Sequence, residues 1–279
     1  MNGIKLTEGI KHLIIINIIL FIGPQLINLD LTNILALHFP KNNNFGFWQY
    51  VTHMFMHGSF AHILFNMYGL WAFGTPLEKM WGRNKFLFFY FSAGIGAGLI
   101  YSLVNYYQFN SYFDVLIQNG LNSSNISKIL DTGVYTNYAD IITLSKEELS
   151  KFYSLYHTPA VGASGAVYGV LVAFGMYFKD AKLALIFFPV PIAAKYFIPL
   201  ILVGDLFFGM TKYSVGNVAH FAHLGGATFG ILSIRNIQSN KNILNRLQKI
   251  IEDLKLTFKG KKKTKNTEFS KLKTDEEYN

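Results

Sequence analysis

Long apolar runs constrain this chain more than any other feature. A bilayer core takes about 20 mostly apolar residues to cross, with a range of roughly 17–25. Six stretches of the 279 residues meet or approach that length: Leu13–Leu29, Ala61–Leu77, Phe86–Val104, Val161–Phe178, Tyr196–Met210 and Val218–Ile234. The third and fourth carry no charge. The fifth is short, holds Pro199 and Asp205, and can be extended back through Leu183–Ala194. One such run suits the core helix of a soluble protein, but six in one chain do not. Apolar residues make up 51% and charged residues 15%, against about 25% charged in ordinary soluble domains. The first run lacks a small-residue cleavage site, so it reads as a retained span rather than a signal peptide. The expected fold class is an all-α polytopic membrane protein with six transmembrane helices.

Lys and Arg set the orientation. Lys79, Arg83 and Lys85 lie between spans two and three, and Lys179, Lys182 and Lys195 between spans four and five. Residues 237–279 hold 11 Lys/Arg and 6 Asp/Glu, which is +5 of the chain's net +9. Both termini are therefore expected in the cytoplasm, with even-numbered spans starting at the outer face. The predicted organisation is a membrane domain over 1–236 and a basic cytoplasmic tail over 237–279. Segment 107–157 is too long for a tight connection and reads as an extracytoplasmic insertion, helical near Ser145–Tyr156, or as a disordered loop. In the tail, Leu244, Leu247, Ile251 and Leu254 share a helical stripe that suits the inner leaflet, ahead of a flexible basic run. With no cysteine, disulfides, thiolate zinc sites and thiol nucleophiles are excluded.

Polar groups inside a span are functional candidates, because their desolvation has to be offset. Here they gather in one layer. His62 and Asn66 lie four residues apart in the first turns of span two, on one face. Ser164 lies in the first turn of span four, and His220 and His223 in the first turns of span six. A serine becomes a nucleophile when a base takes its proton, and histidine titrates in the right range. Ser164, in Gly162-Ala163-Ser164-Gly165, starts a helix where unpaired N–H groups favour developing negative charge. His223 is the candidate base, and His62 and Asn66 can supply further donors. Gly165/Gly169, Gly226/Gly230 and Gly94/Gly98 form small-residue faces that permit close helix contact. His53, His57 and His220 read as supports or hydrogen-bond partners. His53 and His57 have i, i+4 spacing but neither an HExxH motif nor a carboxylate, so no metal and no cofactor is expected.

These residues resemble the rhomboid family of intramembrane serine proteases. The likeness runs from about residue 10 to 236. Trp48-Gln49-Tyr50-Val51-Thr52-His53-Met54-Phe55-Met56-His57-Gly58-Ser59-Phe60-Ala61-His62, followed by Ile63-Leu64-Phe65-Asn66, is similar to the family's first outer loop and second span, with Gly74 and Glu78 continuing the pattern. Gly162-Ala163-Ser164-Gly165 with Tyr168 is similar to the nucleophile motif, and Ala222-His223-Leu224-Gly225-Gly226 with Gly230 to the base motif. The resemblance implies a six-helix rhomboid-like bundle. It implies Ser164 as nucleophile, His223 as base, an oxyanion hole of His62, Asn66 and the Ser164 N–H, and Tyr168 stacked near His223. Family dyads need no acidic third member, and none stands out here. The implied substrates are single-span membrane proteins, cut beside a mobile helix around Tyr196–Met210, with a small residue before the cut. The implied setting is the lipid bilayer of a bacterial inner membrane, with no nucleic-acid partner. Two departures stand out: Gln49 occupies a position that is often Arg, and the 107–157 insertion is long. The rival readings are a catalytically silent relative that binds membrane proteins and a His-lined transporter.

Overall fold

The computed structural model describes residues 5–185, 188–210 and 220–239. The tail expected over 237–279 lies outside them beyond Ser239, as does the connection over 211–219. In chain order the elements are α1 (Glu8–Leu26), α2 (Thr32–Leu35), α3 (Gln49–Thr52), α4 (Phe60–Gly69), α5 (Thr75–Trp81), α6 (Arg83–Gln118), α7 (Ser123–Thr132), α8 (Lys146–His157), α9 (Ser164–Tyr177), β1 (Lys182–Leu185), β2 (Phe188–Ala193), α10 (Ala194–Met210) and α11 (His220–Ser239). The chain is mostly helical, as expected, but not all-α. Strands β1 and β2 pair antiparallel, Lys182 opposite Ala193 and Leu183 opposite Ile192. The fifth span therefore does not extend back through Leu183–Ala194. Pro189 and Pro191 explain this, since proline within a helix removes a backbone donor and clashes with the preceding turn.

Among the described residues two helices, Glu8–Leu26 and Arg83–Gln118, are long and apolar enough to cross a membrane by length and composition alone. The second span is helical from Phe60 to Trp81 but changes pitch through a π-turn over Leu70–Gly74. Pro76 follows that turn and has no N–H to return to Ala72. The widened turn accommodates the mismatch without breaking the helix. Large apolar side chains remain exposed along these helices: Ile15, Ile19 and Ile22 on α1, Phe88 and Leu103 on α6, Leu200 and Val203 on α10. Contiguous apolar exposure of this kind marks a surface that meets lipid or another apolar partner.

The helix that carries the expected third span does not end near Val104. Helix α6 runs for 36 residues, about 54 Å at 1.5 Å per residue, well beyond the roughly 30 Å of hydrocarbon. No glycine or proline interrupts residues 105–118, and Phe109 and Leu116 keep a buried face. They join Ile126, Ile129, Leu149 and Phe152 in an apolar core with Phe39, so segment 107–157 is folded rather than a disordered loop. Helix α7 is capped by Asn122, whose side chain accepts from the Asn125 N–H at 2.9 Å. Helix α8 opens on a capping box: Ser145 Oγ accepts from the Glu148 N–H and the Glu148 carboxylate from the Ser145 N–H, reciprocally satisfying two donors.

The start of α1 is held by a remote carboxylate. Buried Glu78, on α5, accepts from the N–H groups of Gly9 at 2.7 Å and Ile10 at 2.9 Å, and from the Thr7 hydroxyl. A negative charge there meets orphan donors and the positive end of the helix dipole. Gln49, where the family often has Arg, keeps the loop between α1 and α4 tied together. It is fully buried; its Nε2 donates to the Asn44 carbonyl at 2.7 Å, and its Oε1 accepts from the His38 N–H at 3.1 Å.

Candidate active site

The segment before Ser164 is fixed from two sides. Leu37 and Ala160 exchange backbone hydrogen bonds at 2.9 and 2.8 Å, and the Gly162 N–H donates to the His53 carbonyl at 2.9 Å. Gly162 has φ +122°, and a Cβ there would lie 2.6 Å from Nε2 of His62. Backbone conformation and the close approach of an imidazole both demand glycine. Helix α9 then begins at Ser164 itself, so its early N–H groups have no partner within the helix.

Helices α9 and α11 meet through the two glycine faces. A Cβ on Gly226 would overlap the Gly165 carbonyl oxygen, and one on Gly230 would lie 2.9 Å from Cα of Gly169. Backbone-to-backbone contact is what small-residue faces permit. Gly94 and Gly98 serve a different purpose: they face Met54 and the cluster of Leu37, Tyr50 and His53 in the loop between α1 and α4. The side of α6 toward α9 is formed by alanines, Ala97 against Gly165 and Ala93 against Gly169.

The close contact brings Ser164 Oγ to 2.9 Å from Nε2 of His223. The Tyr168 ring stacks on the His223 ring, with centroids 4.2 Å apart and planes 8° apart. Nδ1 of His223 lies 3.3 Å from Oδ1 of Asp205. That oxygen also lies 2.6 Å from Nδ1 of His220. An ionised carboxylate only accepts hydrogen bonds, so each Nδ1 carries the proton. His223 consequently presents the Nε2 lone pair to Ser164, the tautomer a general base requires. The expectation that no acidic third member stands out is corrected by Asp205. Its physical signal lay in the sequence, as a charged residue inside an apolar span.

His62 and Asn66 line the same cleft as Ser164 and His223, a space of about 1630 Å³. Ser59 caps the helix that carries them, accepting from the His62 N–H at 3.2 Å. Asn66 is buried, and its Nδ2 donates to the His62 carbonyl at 3.0 Å. The amide's second N–H is left for another acceptor. Phe197 and Ile201 of α10 border this cleft, as do Lys151 and Leu155 of α8. The 107–157 segment thus contributes to its wall.

Fold and site define a largely helical membrane protein with a serine bonded to a histidine where two helices touch. A profile of the Rhomboid domain matches residues 44–117 and 123–237, and the chain belongs to that family. It is 28% identical to the mitochondrial Rhomboid protein 1 of Saccharomyces cerevisiae over 180 residues, 64% of this chain and 38% of that protein. It is 26% identical to the rhomboid protease AarA of Providencia stuartii over 161 residues, 58% of this chain and 40% of that protein. A shorter stretch of 57 residues is 42% identical to the rhomboid protease GluP of Bacillus subtilis, covering 20% of this chain and 11% of that protein. The chain spans less than half the length of these relatives. They divide between mitochondria and bacteria, so they lend no support to a bacterial inner membrane in particular.

Proposed function

We propose that this protein is an intramembrane serine endopeptidase that cleaves single-span membrane proteins. The observation that carries this reading is the 2.9 Å contact between Ser164 Oγ and His223 Nε2, with Nδ1 of the same ring turned to a carboxylate. In this reading Ser164 Oγ attacks the scissile carbonyl carbon while its proton passes to His223 Nε2. The Asp205 carboxylate stabilises the imidazolium and holds its orientation. The oxyanion is met by the Ser164 N–H at the head of α9, by His62 and by the remaining N–H of Asn66. The tetrahedral intermediate collapses, the C–N bond breaks, and His223 returns the proton to the leaving amine. Water then attacks the acyl carbon and gives its proton to His223; the ester bond to Ser164 Oγ breaks, His223 returns the proton to that oxygen, and the new carboxylate leaves.

The membrane arrangement is part of the proposal. Six spans with both termini in the cytoplasm put α4, α9 and α11 with their first turns at one face, where the polar layer lies. The exposed apolar side chains of α1, α6 and α10 support a lipid setting. Substrate enters beside α10, whose Phe197 and Ile201 border the cleft. A catalytically silent membrane-protein binder does not need the nucleophile and base bonded to each other. The test is cleavage of a single-span reporter protein co-expressed with this one. Ser164→Ala and His223→Ala, each at normal abundance, are expected to abolish the cleaved band. Undiminished cleavage by either variant refutes the reading.

A further inference from the structure

The Ser164–His223 pair uses one face of the His223 ring system, and what lies behind it is more than a relay. Asp205, His220 and His223 each offer a ligand atom such that the three lie within 4.8 Å of one another. The two imidazole rings stand nearly perpendicular, at 88°. Oδ2 of Asp205 is buried and has no hydrogen-bond partner among the described residues. Two imidazole nitrogens and a carboxylate oxygen are the donor set of many zinc sites. Bonds of about 2.0–2.2 Å in a tetrahedron place ligand atoms roughly 3.3–3.6 Å apart. The contacts present are 2.6 and 3.3 Å from Oδ1 to the two nitrogens, so an ion fits with side-chain shifts of about an ångström.

We propose that Asp205, His220 and His223 form an inhibitory Zn²⁺ site that disables the base when filled. The consequence for catalysis rests on the protease reading above; the binding does not. Metal ligation needs the lone pair of each Nδ1. The proton on each Nδ1 moves to Nε2 of its own ring, and the Asp205 carboxylate exchanges two hydrogen bonds for one metal bond. Nε2 of His223 then carries a hydrogen, becomes a donor toward Ser164, and no longer takes the hydroxyl proton. The ion also ties α10, which carries Asp205, to α11, which carries both histidines.

The test uses full-length protein in detergent without a histidine tag, after EDTA treatment and removal of the chelator. Isothermal titration with ZnCl₂ is expected to give one equivalent bound, weakened at least 100-fold by His220→Gln. Co²⁺ is expected to produce the intense visible absorption of a four-coordinate site in the wild type, a readout that needs no variant. Saturating Zn²⁺ is expected to slow fluorophosphonate labelling of wild type at least tenfold, reversibly with EDTA, while His220→Gln keeps its own metal-free rate. Folded wild type that binds no stoichiometric Zn²⁺ and gives no four-coordinate Co²⁺ spectrum overturns the site. Equal inhibition of His220→Gln overturns it as well. One equivalent bound through His220, in protein that is never labelled even with EDTA, upholds the site and sinks the protease reading instead.

Discussion

At the scale of single residues, the chemistry of the site depends on which nitrogen of His223 holds the proton, and Asp205 decides that. On the protease reading the carboxylate is a positioning residue, since it touches His223 and acts through that ring. Asp205→Asn is expected to lower kcat at least tenfold with KM within about twofold. The loss should stay below the roughly 10⁴ seen where a serine-protease aspartate is held tightly, because the bond here is 3.3 Å. An equal change in KM and kcat would assign Asp205 to packing. A second residue makes a different pH prediction. His53, just after α3, is buried and donates from Nδ1 to the Gln49 carbonyl at 2.7 Å. Burial pushes its pKa from 6.5 down to about 4, against a smaller opposing effect of that hydrogen bond. Between those values the unfolded chain binds a proton that the folded chain refuses. The stabilisation is therefore complete above about pH 6.5 and is lost as pH falls toward 4. The apparent Tm of wild type should drop across that window, and that of His53→Gln should drop less. Parallel curves would remove His53 from the account.

At the scale of elements, the site exists because α9 and α11 touch backbone to backbone. Gly226 is the tightest point of that contact, where a Cβ overlaps the Gly165 carbonyl oxygen. Gly226→Ala has to push the helices apart, carrying Nε2 of His223 away from Ser164. An activity loss of at least 100-fold is expected, because sub-ångström placement matters to proton transfer. Gly204→Ala on α10 is the matched control, since nothing lies within 4 Å of a Cβ there. It should keep near-normal activity and gain slightly in stability from helix propensity. Similar losses in both variants would mean that the glycine contact does not set the geometry. Much of this was legible in the sequence. Ser164, His223, Tyr168 and the spacing Gly165/Gly169 and Gly226/Gly230 are local patterns, and the contact they form follows from small residues facing one another. The role of Gly94 and Gly98 was not legible. A small-residue face does not announce its partner, and theirs is a loop rather than a helix. The β1–β2 hairpin was hidden because its residues are as apolar as a span, and only Pro189 and Pro191 argued against a helix.

At the scale of the whole molecule, the chain combines an apolar helical body with a segment over 107–157 that has its own core. Helix α6 links the two by continuing past the length a bilayer requires. The sequence pointed to a folded or a disordered insertion without deciding between them. The deciding contacts, Phe109 and Leu116 with Phe152 and Ile129, pair residues far apart in the chain. The same limit hid Asp205. Its charge was visible, but its partners His220 and His223 lie 15 and 18 residues later in sequence, across a connection whose geometry no local pattern fixes. The central claim is that these helices assemble an activated serine. It is tested most directly by exposing purified, folded protein in detergent to a fluorophosphonate probe, comparing wild type with Ser164→Ala and His223→Ala. The account predicts covalent labelling of wild type at Ser164, none in Ser164→Ala, and at least a 100-fold slower rate in His223→Ala. Folded wild type that stays unlabelled, or labelling that persists in Ser164→Ala, would contradict it.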